Sequence, residues 1–158
     1  MSIREYSNND YSSLLDIYTN SKLDELRYEH AKFELLPLDK DETRFAQIHE
    51  SNVYVYDSKN IVAFCAYHGS EIRALFVRPE ARGKGVGIKL LEFMLAHIMG
   101  SATLYVAASN YPAIRLYQKY GFDITSRFQT TYNGVAVLAN KMEQLSAHGQ
   151  RANYLSLA

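Results

Sequence analysis

Six consecutive residues, Arg82-Gly83-Lys84-Gly85-Val86-Gly87, carry the plainest chemistry in the chain. Glycines at alternate positions let a backbone approach a ligand closely and adopt left-handed dihedrals, and Arg82 and Lys84 add cations at the rim. The flanking segments set the geometry. Upstream, Glu71 to Val77 alternates, with Ile72, Ala74 and Phe76 on one face and Glu71, Arg73, Leu75 and Val77 on the other, which predicts a strand ended by Pro79. From Gly87 onward, Leu90, Leu91, Met94, Leu95 and Ile98 recur at helical spacing. The first turn of a helix presents N–H groups with no partner and about half a positive charge, so strand, glycine turn and helix together predict a phosphate-binding anion site. Gly87 falls on the apolar face of that helix, which predicts a helix lying close to the strand below.

The elements around this stretch follow from periodicity and turn chemistry. Ile3 to Tyr6 forms a short strand, and Ser7 with Asp10 makes a capping box that opens a helix carrying Tyr11, Leu14, Leu15 and Tyr18 on one face. A second helix is expected over about Leu23 to Phe33, and a short third one behind Asp41 through Phe45 and Ile48. Val53 to Tyr56, Ile61 to Tyr67 and the Glu71 strand, joined by turns at Asp57–Asn60 and His68–Ser70, make an antiparallel meander. Thr103 to Ala107 follows the Gly87 helix and pairs parallel with the Glu71 strand through a βαβ crossover. Pro112 opens another helix bearing Leu116, Tyr117 and Tyr120 up to Gly121. Phe122–Thr131 and Val135–Met142 close the sheet as a hairpin. The expectation is an α/β domain over 1–158 with a core of about 3–142, built on a mixed, mostly antiparallel sheet of about seven strands with helices on both faces. The tail from Leu145 is weakly patterned.

Composition narrows the partners. The 158 residues carry 17 Lys plus Arg and 17 Asp plus Glu, so no basic excess argues for nucleic acid or an anionic membrane. A local group such as Arg78, Arg82 and Lys84 can still bind phosphate. One cysteine, Cys65, excludes an internal disulfide framework and gives no zinc spacing with the scattered histidines, so no metal is expected. No apolar leader opens the chain and no run approaches a membrane span, and the expectation is a cytoplasmic protein.

The glycine run fits neither of two better-known loops. A Walker loop needs Gly-Lys followed by Ser or Thr, and the dinucleotide fingerprint needs G-x-G-x-x-G, whereas Lys84 precedes Gly85 and the spacing is G-x-G-x-G. R-x-x-G-x-G from Arg82 to Gly87, after A-L-F-V, resembles the pyrophosphate loop of the GNAT superfamily of acyl-CoA-dependent N-acyltransferases. Asn110 to Phe122, N-Y-P-A-I-R-L-Y-Q-K-Y-G-F, resembles the second GNAT signature, an asparagine before a helix bearing A-x-x-L-Y-x-K-x-G-F. The resemblance covers roughly residues 52–142. It implies the GNAT fold, acetyl-CoA as co-substrate, and acetyl transfer to a primary amine of a small molecule or peptide. A homodimer is compatible with it.

The same resemblance implies roles. Leu75, Phe76 and Val77 would line the pantetheine arm, with backbone groups of Leu75 and Val77 holding it where two strands splay apart. Arg82, Gly83, Lys84, Gly85, Val86 and Gly87 would take the pyrophosphate. Asn110 would contact the cofactor, and Tyr117 would protonate the departing thiolate. Each has a plainer rival: Tyr117 as helix packing, Asn110 as a helix cap. Glu71, on the strand face expected to look into the cleft, is the candidate base, with His68 at the adjacent turn as the lesser choice; a charged strand residue is otherwise solvated. Cys65, in V-A-F-C-A-Y, reads as a buried apolar residue. The alternative to an enzyme is a non-catalytic acyl-CoA-binding sensor.

Overall fold

The computed structural model describes residues 2–145. Seven strands form one sheet: β1 (Ser2–Glu5), β2 (Asn52–Ser58), β3 (Asn60–His68), β4 (Glu71–Val77), β5 (Thr103–Ala107), β6 (Phe122–Tyr132) and β7 (Val135–Gln144). Their order is β1-β2-β3-β4-β5-β7-β6, and only the β4–β5 pair is parallel. Helices α1 (Tyr11–Ser21) and α2 (Glu42–His49) cover one face, and α3 (Val86–His97) packs on the other, where α4 (Tyr111–Lys119) joins it. Each face has its own core. Leu90, Leu91, Met94 and Leu95 of α3 meet Cys65, Ile72, Leu104 and Met142, while Leu14, Ile17 and Tyr18 of α1 meet Val55, Phe64, Ala74 and Phe76.

The parallel pair is the feature that makes room for a site. Helix α3 carries the chain across the sheet, and the two strands pair only at Glu71 and Thr103 before they part. The Arg78 N–H reaches the Val62 carbonyl on β3 at 2.8 Å. Backbone groups alternate in direction along a strand, so those of Val77 and Leu75 point the other way, into the gap beside β5.

Two expectations change here. Ile72 does not share a face with Ala74 and Phe76, because the β3 register steps from Ala66↔Ala74 to Tyr67↔Ile72 and leaves Arg73 as the extra residue of a bulge. Ile72 therefore joins Leu75 and Val77 in the core under α3. The helix expected over Leu23 to Phe33 shrinks to a 3₁₀ segment, Lys22–Leu26. Beyond the buried Leu26, no residue up to Phe33 is buried, so a helix there would have no apolar face to dock. This segment is tethered instead to the β6–β7 end: the Leu36 N–H donates to Tyr132 Oη at 2.8 Å, and Asn133 Nδ2 donates to the Glu34 carbonyl at 3.0 Å. Expectations about the tail concern residues 146–158, which lie outside the described residues.

The first helical turn is anchored by charge. Arg4 donates through both terminal nitrogens to the buried Asp10 carboxylate, each at 2.9 Å, and the Ser7 N–H donates to the same group. The Arg4 hydrogen bond holds the Asp10 carboxyl below the usual carboxylate range. A depressed carboxyl stabilises the fold above its unfolded value, and that contribution disappears as pH falls through the folded one. Asp10→Ala is expected to cost about 2 kcal/mol at neutral pH, by loss of a cap and a charged partner. Denaturant unfolding at neutral and acid pH checks this, since the gap between variant and wild type should narrow below about pH 4.

Candidate active site

The turn between β4 and α3 is shaped by two glycines in the left-handed region, Gly83 at φ +76° and Gly85 at φ +81°. Gly85 is the N-cap of α3, and its carbonyl takes the first helical bond, from the Lys89 N–H at 3.0 Å. The N–H groups of Val86, Gly87 and Ile88 precede that donor, so the helix start offers free donors beside an open loop. An added Cβ at Gly87 would meet Val77 Cγ2 at 3.6 Å, an ordinary contact. Packing between α3 and β4 therefore does not demand glycine at 87, contrary to the expectation from its place on the apolar face.

Two cavities meet where β4 and β5 part. One, of about 580 Å³, is lined by Leu75, Phe76 and Val77, by Arg82, Gly83, Gly85, Val86 and Gly87, and by Asn110 and Tyr117. The other, of about 650 Å³, lies beneath α1, α2 and the β6–β7 end, with Tyr18, Lys22, Arg44, Arg73, Tyr105 and Tyr132 on its walls. Glu25, Leu75, Phe76, Asn110, Ala113 and Tyr117 border both. A donor molecule in the first cavity and an acceptor in the second would touch at these six residues.

Tyr117 sits at that junction. It is half-buried on α4, packs its ring against Phe122 at 5.7 Å between centroids, and its hydroxyl has no hydrogen-bond partner among the described residues. Burial pushes the hydroxyl well above its ordinary value, and the negative charge of Glu25 adds to this. The hydroxyl is thus held neutral, on a residue that lines both cavities. Asn110 precedes α4 as its N-cap, but its side chain makes no capping bond, which leaves the amide available to the cavities it borders.

Other expected residues lie elsewhere. Glu71 borders neither cavity; the guanidinium of Arg73 holds its carboxylate at 2.6 Å, and the bulge at Arg73 puts Glu71 on the opposite face of the sheet from Leu75 and Val77, which simple alternation would have it share. Lys84 is exposed and does not line the glycine cavity. Arg82 does, but as a strut: Nε donates to the Val77 carbonyl at 3.2 Å and Nη1 pairs with Asp24 at 2.6 Å, joining the loop to the 3₁₀ segment. Arg78 turns to Asp16 and to the Ile61 carbonyl. Cys65 is fully buried between strands, and burial pushes its thiol up to about 12. Among the described residues no group of three or more His, Cys, Asp or Glu side chains gathers as a metal site.

Sequence reasoning missed Glu25, Tyr18, Lys22, Arg44 and Tyr132. All except Tyr132 come from the polar N-terminal third, where no motif marks them. Lys22 Nζ pairs with Glu25 at 2.8 Å and lies 5.3 to 5.9 Å from the rings of Tyr18, Phe76 and Tyr132, which fixes the Glu25 carboxylate at the junction.

The model of the acetyltransferase (GNAT) domain matches residues 49–124. An uncharacterized N-acetyltransferase of Archaeoglobus fulgidus is 32% identical over 131 residues, 74% of this chain and 89% of that protein. The peptidyl-lysine N-acetyltransferase YjaB of Salmonella typhimurium is 37% identical over 75 residues, 48% of this chain and 51% of that protein, so the match spans about half the length of that relative. In fold, the chain is similar to the structure of yncA from Salmonella typhimurium with its cofactor acetyl-CoA, at a TM-score of 0.67 and 19% identity, covering 93% of this chain and 94% of that one.

Proposed function

Because this chain belongs to the GNAT acetyltransferase family, we propose that it transfers the acetyl group of acetyl-CoA to a primary amine by direct attack within a ternary complex. The observation that carries this reading is the junction itself, where Tyr117, Asn110 and Leu75 border both the glycine-loop cavity and the second cavity.

Acetyl-CoA brings an acyl carbon already activated as a thioester. The chain's own part is to hold, orient and move protons. The free N–H groups at the start of α3, with the open backbone at Gly83 and Gly85, would bind the pyrophosphate. Backbone groups of Leu75 and the N–H of Val77, directed into the gap beside β5, would hold the pantetheine arm as a further strand would be held, and an N–H there would polarise the carbonyl. Tyr117 would deliver its proton to the departing sulfur. Glu25, the carboxylate that borders both cavities, would take the proton of the amine directly or through a water, in the place first considered for Glu71. The acceptor enters from the side of Tyr18 and Tyr132. No described helix is long and apolar enough to cross a membrane, and a cytoplasmic setting, where acetyl-CoA is made available, fits the reading.

The kinetic order tests direct attack. A thiol raised to about 12 is not a thiolate at neutral pH, and Cys65 lines neither cavity, so a cysteine acyl-enzyme has no chemical support. Initial-rate plots should intersect, acetyl-CoA alone should leave no acetylated protein by mass spectrometry, and Cys65→Ala should remain active. Parallel plots together with an acetyl adduct on Cys65 would replace direct attack by a two-step transfer.

A further inference from the structure

The second cavity has two ends of opposite character. At the junction stands Glu25, held by Lys22. At the α2 end stands Arg44, whose Nη2 donates to the Arg73 carbonyl at 2.5 Å, while its buried Nε has no partner. The other cations of this wall are already matched by carboxylates, Lys22 by Glu25 and Arg73 by Glu71 and Glu50. Among the described residues Arg44 has no carboxylate within ion-pair distance. Asp41 lines the same wall, but its side chain accepts the Arg44 backbone N–H at 3.1 Å as the cap of α2.

Tyr18 supplies a second, independent observation. Its ring is wholly buried against Phe76 and its hydroxyl, also buried, has no partner. Burial raises that hydroxyl above its ordinary value, and the nearby positive charge of Arg44 opposes the rise. Both residues line the cavity, and an unsatisfied guanidinium N–H and an unsatisfied hydroxyl buried just behind one wall are a cost that native structures rarely carry without a ligand or solvent to meet it. Together a guanidinium with no carboxylate partner and a hydroxyl with none offer charged and neutral donors of the kind a carboxylate accepts.

We propose that the acceptor is a small amine that also carries a carboxylate, its amine turned to Glu25 and Tyr117 and its carboxylate held by Arg44 with the Tyr18 hydroxyl. This deepens the acetyl-transfer reading and rests on it. A phosphate in place of the carboxylate would bring a second negative charge toward Asp41 and Glu25, so the singly charged group is favoured.

The test compares matched amines with acetyl-CoA: lysine against cadaverine, and β-alanine against phosphoethanolamine. The carboxylated member of each pair should show kcat/KM at least about 10-fold higher, as a charge-assisted hydrogen bond supplies. Arg44→Gln should lower that ratio about 10- to 100-fold, mainly through KM, with Arg44→Lys restoring part of it and acetyl-CoA affinity by calorimetry reporting that the fold is intact. Turnover with equal or greater efficiency on cadaverine, or on phosphoethanolamine, overturns this inference and leaves acetyl transfer standing. Turnover on no amine at all overturns acetyl transfer and the inference with it.

Discussion

Tyr117→Phe should bind acetyl-CoA as the wild type does and turn over about 10²- to 10⁴-fold more slowly, the loss expected when a positioned acid is removed. The ring keeps its contact with Phe122, so stability should change little. Only the hydroxyl, which nothing else in the described structure engages, is lost. Its pH behaviour is a second signature. Burial first, and Glu25 second, raise this hydroxyl above its ordinary value, so it stays protonated across the alkaline assay range. The wild-type rate should therefore show no alkaline fall from Tyr117, and the acid limb should report the group that takes the proton of the amine. Pre-steady-state thiol release, which separates chemistry from product release, is the measurement to make. Near wild-type rates there would return Tyr117 to a packing role.

The second large effect is expected at Gly85. Valine at φ +81° is strained wherever it stands, and here it would reset the cap from which α3 presents its free donors. A Cβ at Gly85 meets no protein atom within 4 Å, so the space it fills is the space left to a ligand. Gly85→Val should weaken acetyl-CoA binding by about 10- to 100-fold, the worth of one or two hydrogen bonds to a charged group. Gly69 gives the control. It also has a left-handed backbone, φ +58°, in the β3–β4 turn, away from both cavities, so Gly69→Val should lower stability without changing affinity. Calorimetry with both variants separates ligand crowding from strain alone.

Much of this site was legible because its chemistry is local. The Gly83 to Gly87 turn, the parallel crossover and the Asn110–Tyr117 spacing each depend on residues close in the chain, where glycine, proline and helical period leave a clear trace. Glu71 was misplaced for a physical reason. Alternation assumes an unbroken register, and one bulged residue, Arg73, moves Ile72 to the other core and parts Glu71 from the face of Leu75 and Val77. The acceptor wall was invisible for another reason. Tyr18, Glu25, Arg44 and Tyr132 are brought together by tertiary packing across more than a hundred residues, and the segment after Leu26 follows no period because it is held by hydrogen bonds to Tyr132 and Asn133 rather than by an apolar face.

The central claim is amine-dependent acetyl transfer, and the most direct measurement follows CoA thiol release from acetyl-CoA across a panel of primary amines, with the acetylated product identified by mass spectrometry. The account predicts thiol release that requires an amine, saturates with it, and yields one acetylated amine per thiol. Saturable acetyl-CoA binding by calorimetry, with no amine-dependent thiol release anywhere in the panel, would contradict it and leave a protein that senses the cofactor without using it.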